Sequence, residues 1–176
     1  MIETSRLILQ QWEERDREPW IAMNADPRVM EFFPGVYSRE RSEEVLQAMQ
    51  RGLEARGYGW WAVEIRQTGE FAGMIAVDDV RYDVPFTPKR EVGWRFAFAH
   101  WGNGYATEGA AAALEFARER LEWDSVVAFT AARNVRSQRV MQRLAMTHDA
   151  REDFDHPSIE AGHPLQRHVL YRKKLL

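Results

Sequence analysis

The chain has 176 residues, 24 of them basic and 27 acidic, and no cysteine. A net charge of -3 gives no overall pull toward nucleic acid or an anionic membrane, and the missing cysteines exclude disulfides, thiolate metal sites and a cysteine nucleophile. Roughly 70% of the unfolded surface can be buried at this length, no cationic segment followed by an apolar run opens the chain, and no apolar run approaches a membrane span; one domain over residues 1–176, cytoplasmic, monomeric or homodimeric, is the expectation.

Arg6 to Trp12 is short and apolar between polar flanks, a first strand. Asp16 is placed to cap a helix running through Pro19, Trp20, Ile21 and Met23 and closed by Pro27. Ser38 caps a longer helix with Val45, Leu46, Met49 and Leu53 at helical spacing, ended by Gly57 and Gly59. Three strand-like runs follow, Trp60 to Arg66, Phe71 to Val80 and Arg90 to Phe98, with Thr68-Gly69 as a tight turn, so an antiparallel meander is predicted. In the third run Val92, Trp94, Phe96 and Phe98 form an apolar face, while Glu91, Gly93, Arg95 and Ala97 form a small or charged one beside which a ligand can lie.

A glycine loop, Trp101-Gly102-Asn103-Gly104-Tyr105-Ala106-Thr107-Glu108, joins that strand to a helix whose Ala110, Ala113, Leu114, Ala117 and Leu121 share one side. Val126 to Ala131 is then a buried strand and Asn134 to Leu144 a helix, which completes a βαβ-like unit. The tail from about His148 carries Pro157, Gly162 and Pro164 before Val169-Leu170-Tyr171, a closing hairpin with a long loop.

The glycine loop has the form of an anion cradle. Glycines let the backbone turn and approach a ligand, and the free NH groups of the following helix start, with its positive dipole end, favour a diphosphate. A Rossmann fingerprint would need glycine where Thr107 stands, and the Walker loop would need Gly-Lys-Ser/Thr. A plain turn without a ligand and other nucleotide binders stay open on the glycines alone.

The flanking residues carry a resemblance. Thr4-Ser5-Arg6-Leu7-Ile8-Leu9, Glu91-Val92-Gly93-Trp94-Arg95, the loop through Gly109, Asn134-Val135-Arg136-Ser137-Gln138-Arg139-Val140-Met141, Phe154-Asp155-His156-Pro157 and His168-Val169-Leu170-Tyr171 together resemble the GNAT N-acetyltransferases, in the branch of the RimJ/RimL type, over almost the whole chain. The resemblance implies an α/β (α+β) GNAT fold, a mixed, mostly antiparallel V-shaped sheet flanked by helices, with acetyl-CoA as co-substrate between two splayed strands, Arg90 to Phe98 and Val126 to Ala131.

For the coenzyme it implies backbone groups near Phe96 and Phe98 for the pantetheine arm, NH groups from Gly102, Asn103, Gly104, Tyr105, Ala106 and Thr107 for the diphosphate, and the Asn134 amide near the arm. Trp101 fills the slot where the family pattern has Gln or Arg, so recognition falls to the backbone. Asn134 is equally suited to cap its helix. Arg136, Arg139 and Arg143 lie at helical spacing, toward nucleotide phosphates or toward solvent.

The expected chemistry is direct attack of a neutral primary amine, a protein N-terminus or a small molecule, on the thioester. Deprotonating an α-amine of pKa about 7.7 to 8 costs about 1 kcal/mol at pH 7, whereas a lysine near 10.4 costs about 4 to 5 kcal/mol. Glu91 is the candidate base, or else a strand-end ion-pair partner, and Ser137 the candidate acid or thiolate hydrogen-bond donor. No metal is expected: His156, His163 and His168 fit no compact ligand pattern and are read as shaping the acceptor pocket, as are Trp60, Trp61, Phe32, Phe33 and Tyr82. A noncatalytic acyl-CoA-binding module is the alternative from another functional class.

Overall fold

The computed structural model describes residues 1–176. In chain order come β1 (Ile2–Glu3), β2 (Leu7–Gln10), α1 (Arg17–Ala25), α2 (Arg39–Arg56), β3 (Trp60–Ile65), β4 (Phe71–Asp79), β5 (Arg90–Phe96), α3 (Tyr105–Arg120), β6 (Ser125–Ala131), α4 (Val135–Arg143), β7 (Thr147–His148), β8 (Phe154–Asp155) and β9 (Arg167–Lys174). All nine strands join one sheet in the order β1-β2-β3-β4-β5-β6-β9-β7, with β8 also pairing β9. Every pairing is antiparallel except β5 with β6. That parallel pair meets at one place, Glu91 against Val127, whereas β6 and β9 pair along the whole length of β6. The sheet therefore parts between β5 and β6.

The two faces differ in what covers them. Leu7, Ile75 and Trp61 face α3: a Cβ on Gly109 would stand 2.2 Å from Ile75 Cδ1 and 3.3 Å from Leu7 Cδ1, and Trp61 meets Phe116 edge-on at 5.4 Å. Glycine and the buried Ala110, Ala113 and Ala117 let α3 press close to the strands. The core runs from there beneath α1 and α2, where Trp20, Met23, Leu46, Met49 and Leu53 are buried. A smaller cluster, Val80, Val84, Phe86, Val127, Phe154 and Leu170, packs under the β8–β9 end.

Helix punctuation follows side-chain chemistry, with two departures from the sequence reading. The Ser38 hydroxyl accepts Arg41 NH at 3.2 Å, and Gly57, at φ 75°, ends α2 in the left-handed region. Asp16 does not cap α1: its backbone is already helical, and its carboxylate accepts the Glu13 NH at 2.8 Å from within a preceding 3-10 turn. Leu121 lies beyond α3, since Arg120 is the last helical residue and Glu122 turns at φ 53°. Val45 is half-buried, packed against the edge of the core while also lining a cavity.

The strand read as Arg90 to Phe98 ends at Phe96. There the Trp101 indole NH donates to the Phe96 carbonyl at 2.8 Å, and Phe98 to His100 form a 3-10 turn. The tail is a hairpin of β8 and β9 around a loop, as expected, but β7 also pairs with β9. Two residues are too few for periodicity to reveal β7.

Candidate active site

The glycine loop gains its shape from two left-handed residues, Gly102 at φ 80° and Gly104 at φ 79°. Consecutive backbone NH groups from Gly102 to Thr107 have no acceptor in the protein, and the Thr107 hydroxyl is buried without a partner. These donors converge at the start of a helix of 16 residues, where the dipole adds positive potential. From the far side, Glu108 holds the first turn in place: its carboxylate accepts from Thr4 Oγ1 at 2.6 Å, Ser5 Oγ at 3.1 Å, Arg6 NH at 3.0 Å and Arg6 Nε at 2.6 Å. Arg6 also donates to the Asn103 carbonyl at 3.0 Å.

The loop borders a cavity of about 1060 Å³ that extends from the parting of β5 and β6 to the connection between α1 and α2. Of the residues expected to hold a coenzyme, Phe96, Gly102, Gly104, Tyr105, Ala106, Thr107 and Asn134 line it, together with the catalytic candidates Glu91 and Ser137. Phe98 and Asn103 do not. Phe98 is 41% exposed outside the strand, with its ring beneath the Arg28 guanidinium at 3.9 Å; the Asn103 amide is turned back onto the carbonyls of His100 and Trp101. The strand edge thus ends at Phe96, and the backbone at Phe98 belongs to the 3-10 turn beyond it.

Asn134 is the N-cap of α4: its Oδ1 accepts Ser137 NH at 3.2 Å, and its Nδ2 donates to Thr130 Oγ1 at 2.9 Å. The cap leaves the Ser137 hydroxyl without a protein partner on the cavity wall. Arg136, Arg139 and Arg143 also line the cavity. Arg136 is ion-paired with Glu31 and lies 4.7 Å over the Trp101 ring, so it bridges the glycine loop and the α1–α2 connection.

Glu91 stands where the sheet parts, opposite Asp78 of β4. Asp78 is 1% exposed, and its oxygens accept from Arg56 Nη1 at 2.5 Å, Trp60 Nε1 at 2.9 Å, Asp79 NH at 2.8 Å and Arg81 Nη2 at 3.3 Å. Glu91 has no such partner. Burial and then the charge of Asp78 push its carboxyl up to about 8, against a small opposing pull from Arg81.

His156 and His168 line the cavity with ring centroids 4.8 Å apart. Burial pushes both down, His168 to about 4. His163 lies outside, where its Nδ1 accepts Leu165 NH. Trp60, Phe32, Phe33 and Tyr82 line the cavity, but Trp61 does not; it is buried against α3 on the other face of the sheet. The sequence reading singled out neither Asp78 nor Arg95, although both lie on the wall. The signal for Arg95 was the small or charged face of β5; Asp78, next to Asp79 at the end of a run of small and apolar residues, had no period or motif to mark it.

A family model described as an acetyltransferase (GNAT) domain matches residues 6–147. The chain belongs to the GNAT acetyltransferase family. It is 31% identical over 144 residues to the uncharacterised YkkB of Bacillus subtilis, covering 81% of this chain and 83% of that protein. It is 30% identical over 174 residues to the FsC-acetyl coenzyme A-N(2)-transacetylase of Aspergillus fumigatus, covering 92% of this chain and 72% of that enzyme. The crystal structure of a GNAT-family acetyltransferase from Bacillus anthracis superposes with a TM-score of 0.81 at 22% identity, over 99% of this chain and 98% of that one. The mixed sheet with four flanking helices is the GNAT fold.

Proposed function

We propose that this GNAT protein transfers the acetyl group of acetyl-CoA to a primary amine by direct attack, as a member of the RimJ/RimL-like branch. The observation that carries the reading is a single cavity holding both an unpaired anion cradle and an unpaired carboxyl. The NH groups of Gly102 to Thr107 and the Thr107 hydroxyl match a diphosphate in charge and donor number. The single bridge between β5 and β6 leaves backbone groups near Phe96 available to an amide-bearing arm. The residues present therefore fit the coenzyme, which supplies an activated acyl group when bound.

Glu91 is the base in this reading. With its carboxyl near 8, its conjugate base is strong enough to accept a proton from an ammonium or an attacking amine at neutral to mildly alkaline pH. Ser137 offers a hydroxyl donor toward negative charge growing on sulfur, and its place in the first turn of α4 is fixed by the Asn134 cap. No covalent acyl-enzyme is needed.

The test is thiol release from acetyl-CoA across a panel of amines and peptides, alongside calorimetric CoA binding. Acceptor-dependent thiol release that falls in Glu91→Gln, with CoA affinity kept, is the expected result. CoA binding with no acceptor-dependent thiol would replace an enzyme by a binding module.

A further inference from the structure

Arg95 is a cation set into the cavity wall without an anion. Its Nη1 donates to the neutral amide oxygen of Asn24 at 2.5 Å, its Nε is buried with no acceptor, and no carboxylate lies at ion-pair distance. Aromatic faces cover it instead: Phe33 at 4.2 Å, Tyr37 at 5.7 Å and Trp20 at 5.8 Å. The neighbouring arginines of the wall differ, since Arg41 is paired with Glu44, and Arg56 and Arg81 with Asp78. A buried charge without a counter-charge is costly, and aromatic faces offset only part of that cost. The Tyr37 hydroxyl is a further polar neighbour, and the Nε/Nη2 edge, which meets no carboxylate, is the edge of a guanidinium that grips a carboxylate with two parallel hydrogen bonds.

The placement relative to Glu91 is as informative. Residues 91, 93 and 95 share one face of β5, so the Cα atoms of Glu91 and Arg95 stand ~13 Å apart. Between them is Gly93, and a Cβ there would come within 3.0 Å of the Trp60 ring. The Trp60 ring thus lies against the strand between the Glu91 carboxyl and the Arg95 guanidinium. Resting on the acetyl-transfer reading above, we infer that the acceptor is an amino carboxylate: its amine lies toward Glu91, and its carboxylate is held by the Nε/Nη2 edge of Arg95.

Matched pairs test this: amino acids of increasing amine-to-carboxylate spacing, each against its carboxamide, in thiol-release kinetics and in thermal shift of the full chain with and without CoA. Wild type is expected to favour the carboxylate members by about 10- to 100-fold in kcat/KM, and Arg95→Gln to lose that preference while calorimetric CoA affinity stays the same. Arg95→Lys keeps the charge without the fork and should fall between; it also serves if Arg95→Gln folds poorly. Equal use of both members, a preference for amides or polyamines, or a preference retained in Arg95→Gln would overturn the inference. If no pair is acetylated, carboxylates must still raise the melting temperature above their amides in wild type alone, and no such shift also overturns it. CoA binding without any carboxylate effect defeats the Arg95 site alone, whereas a carboxylate shift without CoA binding defeats the coenzyme reading and leaves the anion site standing.

Discussion

Asp78 and Glu91 face each other directly across β4 and β5, and only Asp78 has partners. Two carboxyls in one place cannot share equal environments without repulsion; here Arg56 and the Trp60 indole favour charge on one, and the other takes the proton. An acid–base candidate arises from a difference between strand neighbours.

Glu91→Gln should lower kcat by about 100-fold or more and remove the limb of the pH–rate profile that rises through about 8 in the wild type. Its effect on stability has the opposite sign. A carboxyl whose folded pKa is raised stabilises the fold below its ordinary value near 4.5 and loses that contribution as pH rises through about 8. Thermal melts at pH 5, 7 and 9 should show Glu91→Gln gaining on wild type as pH rises. Parallel curves would return Glu91 to an ordinary surface carboxylate.

Gly104→Val should weaken CoA binding by about 10-fold or more, because a β-branched residue resists the left-handed conformation that aims the loop NH groups. Gly104→Asn should be milder, since asparagine tolerates that region. Calorimetry on Gly104→Ala separates backbone shape from simple crowding: alanine is smaller than asparagine but tolerates the left-handed region less, so Asn should be the milder of the two, whereas crowding would rank them by side-chain volume.

Gly109→Ala should cost about 1 to 3 kcal/mol of stability by overpacking α3 against the sheet, as its Cβ would fall 2.2 Å from Ile75 Cδ1. Pairing it with Ile75→Val, which deletes that methyl, should recover part of the loss. Denaturant unfolding of the double-mutant cycle measures the coupling, and strict additivity would contradict the contact.

His168 gives the acid side of the stability curve. Its folded pKa near 4 lies below the ordinary 6.5, so its contribution is present above about 6.5 and is lost as pH falls toward 4; His156 adds in the same direction. His168→Gln should flatten the stability decline over that window, and an NMR titration should find the wild-type His168 ring neutral at pH 5.5. A ring already charged at that pH would refute the buried, neutral state.

Elements that repeat a period were legible in the sequence: α2 from Ser38 to Gly57, the three central strands, and α3 with its small face. The glycine loop was legible because glycine marks a backbone requirement that no other residue meets. What escaped were features set by tertiary neighbours. Asp16 reads as a cap until the turn ahead of it has formed, Trp61 and Trp60 look alike until one faces α3 and the other the cavity, and Phe98 continues an alternation that the Trp101 indole cuts short at Phe96. Arg95 stood in plain view on the charged face of β5, but only folding reveals that no acidic residue answers it.

Glu108 and Arg6 are separated by 102 positions, yet their contact holds the loop that carries the NH groups. Such a long-range tie forms only when the opening strand and α3 have docked. The cradle is accordingly a product of completed folding and not a transferable cassette: grafted elsewhere with its own helix, it would bring its glycines and leave its clamp behind.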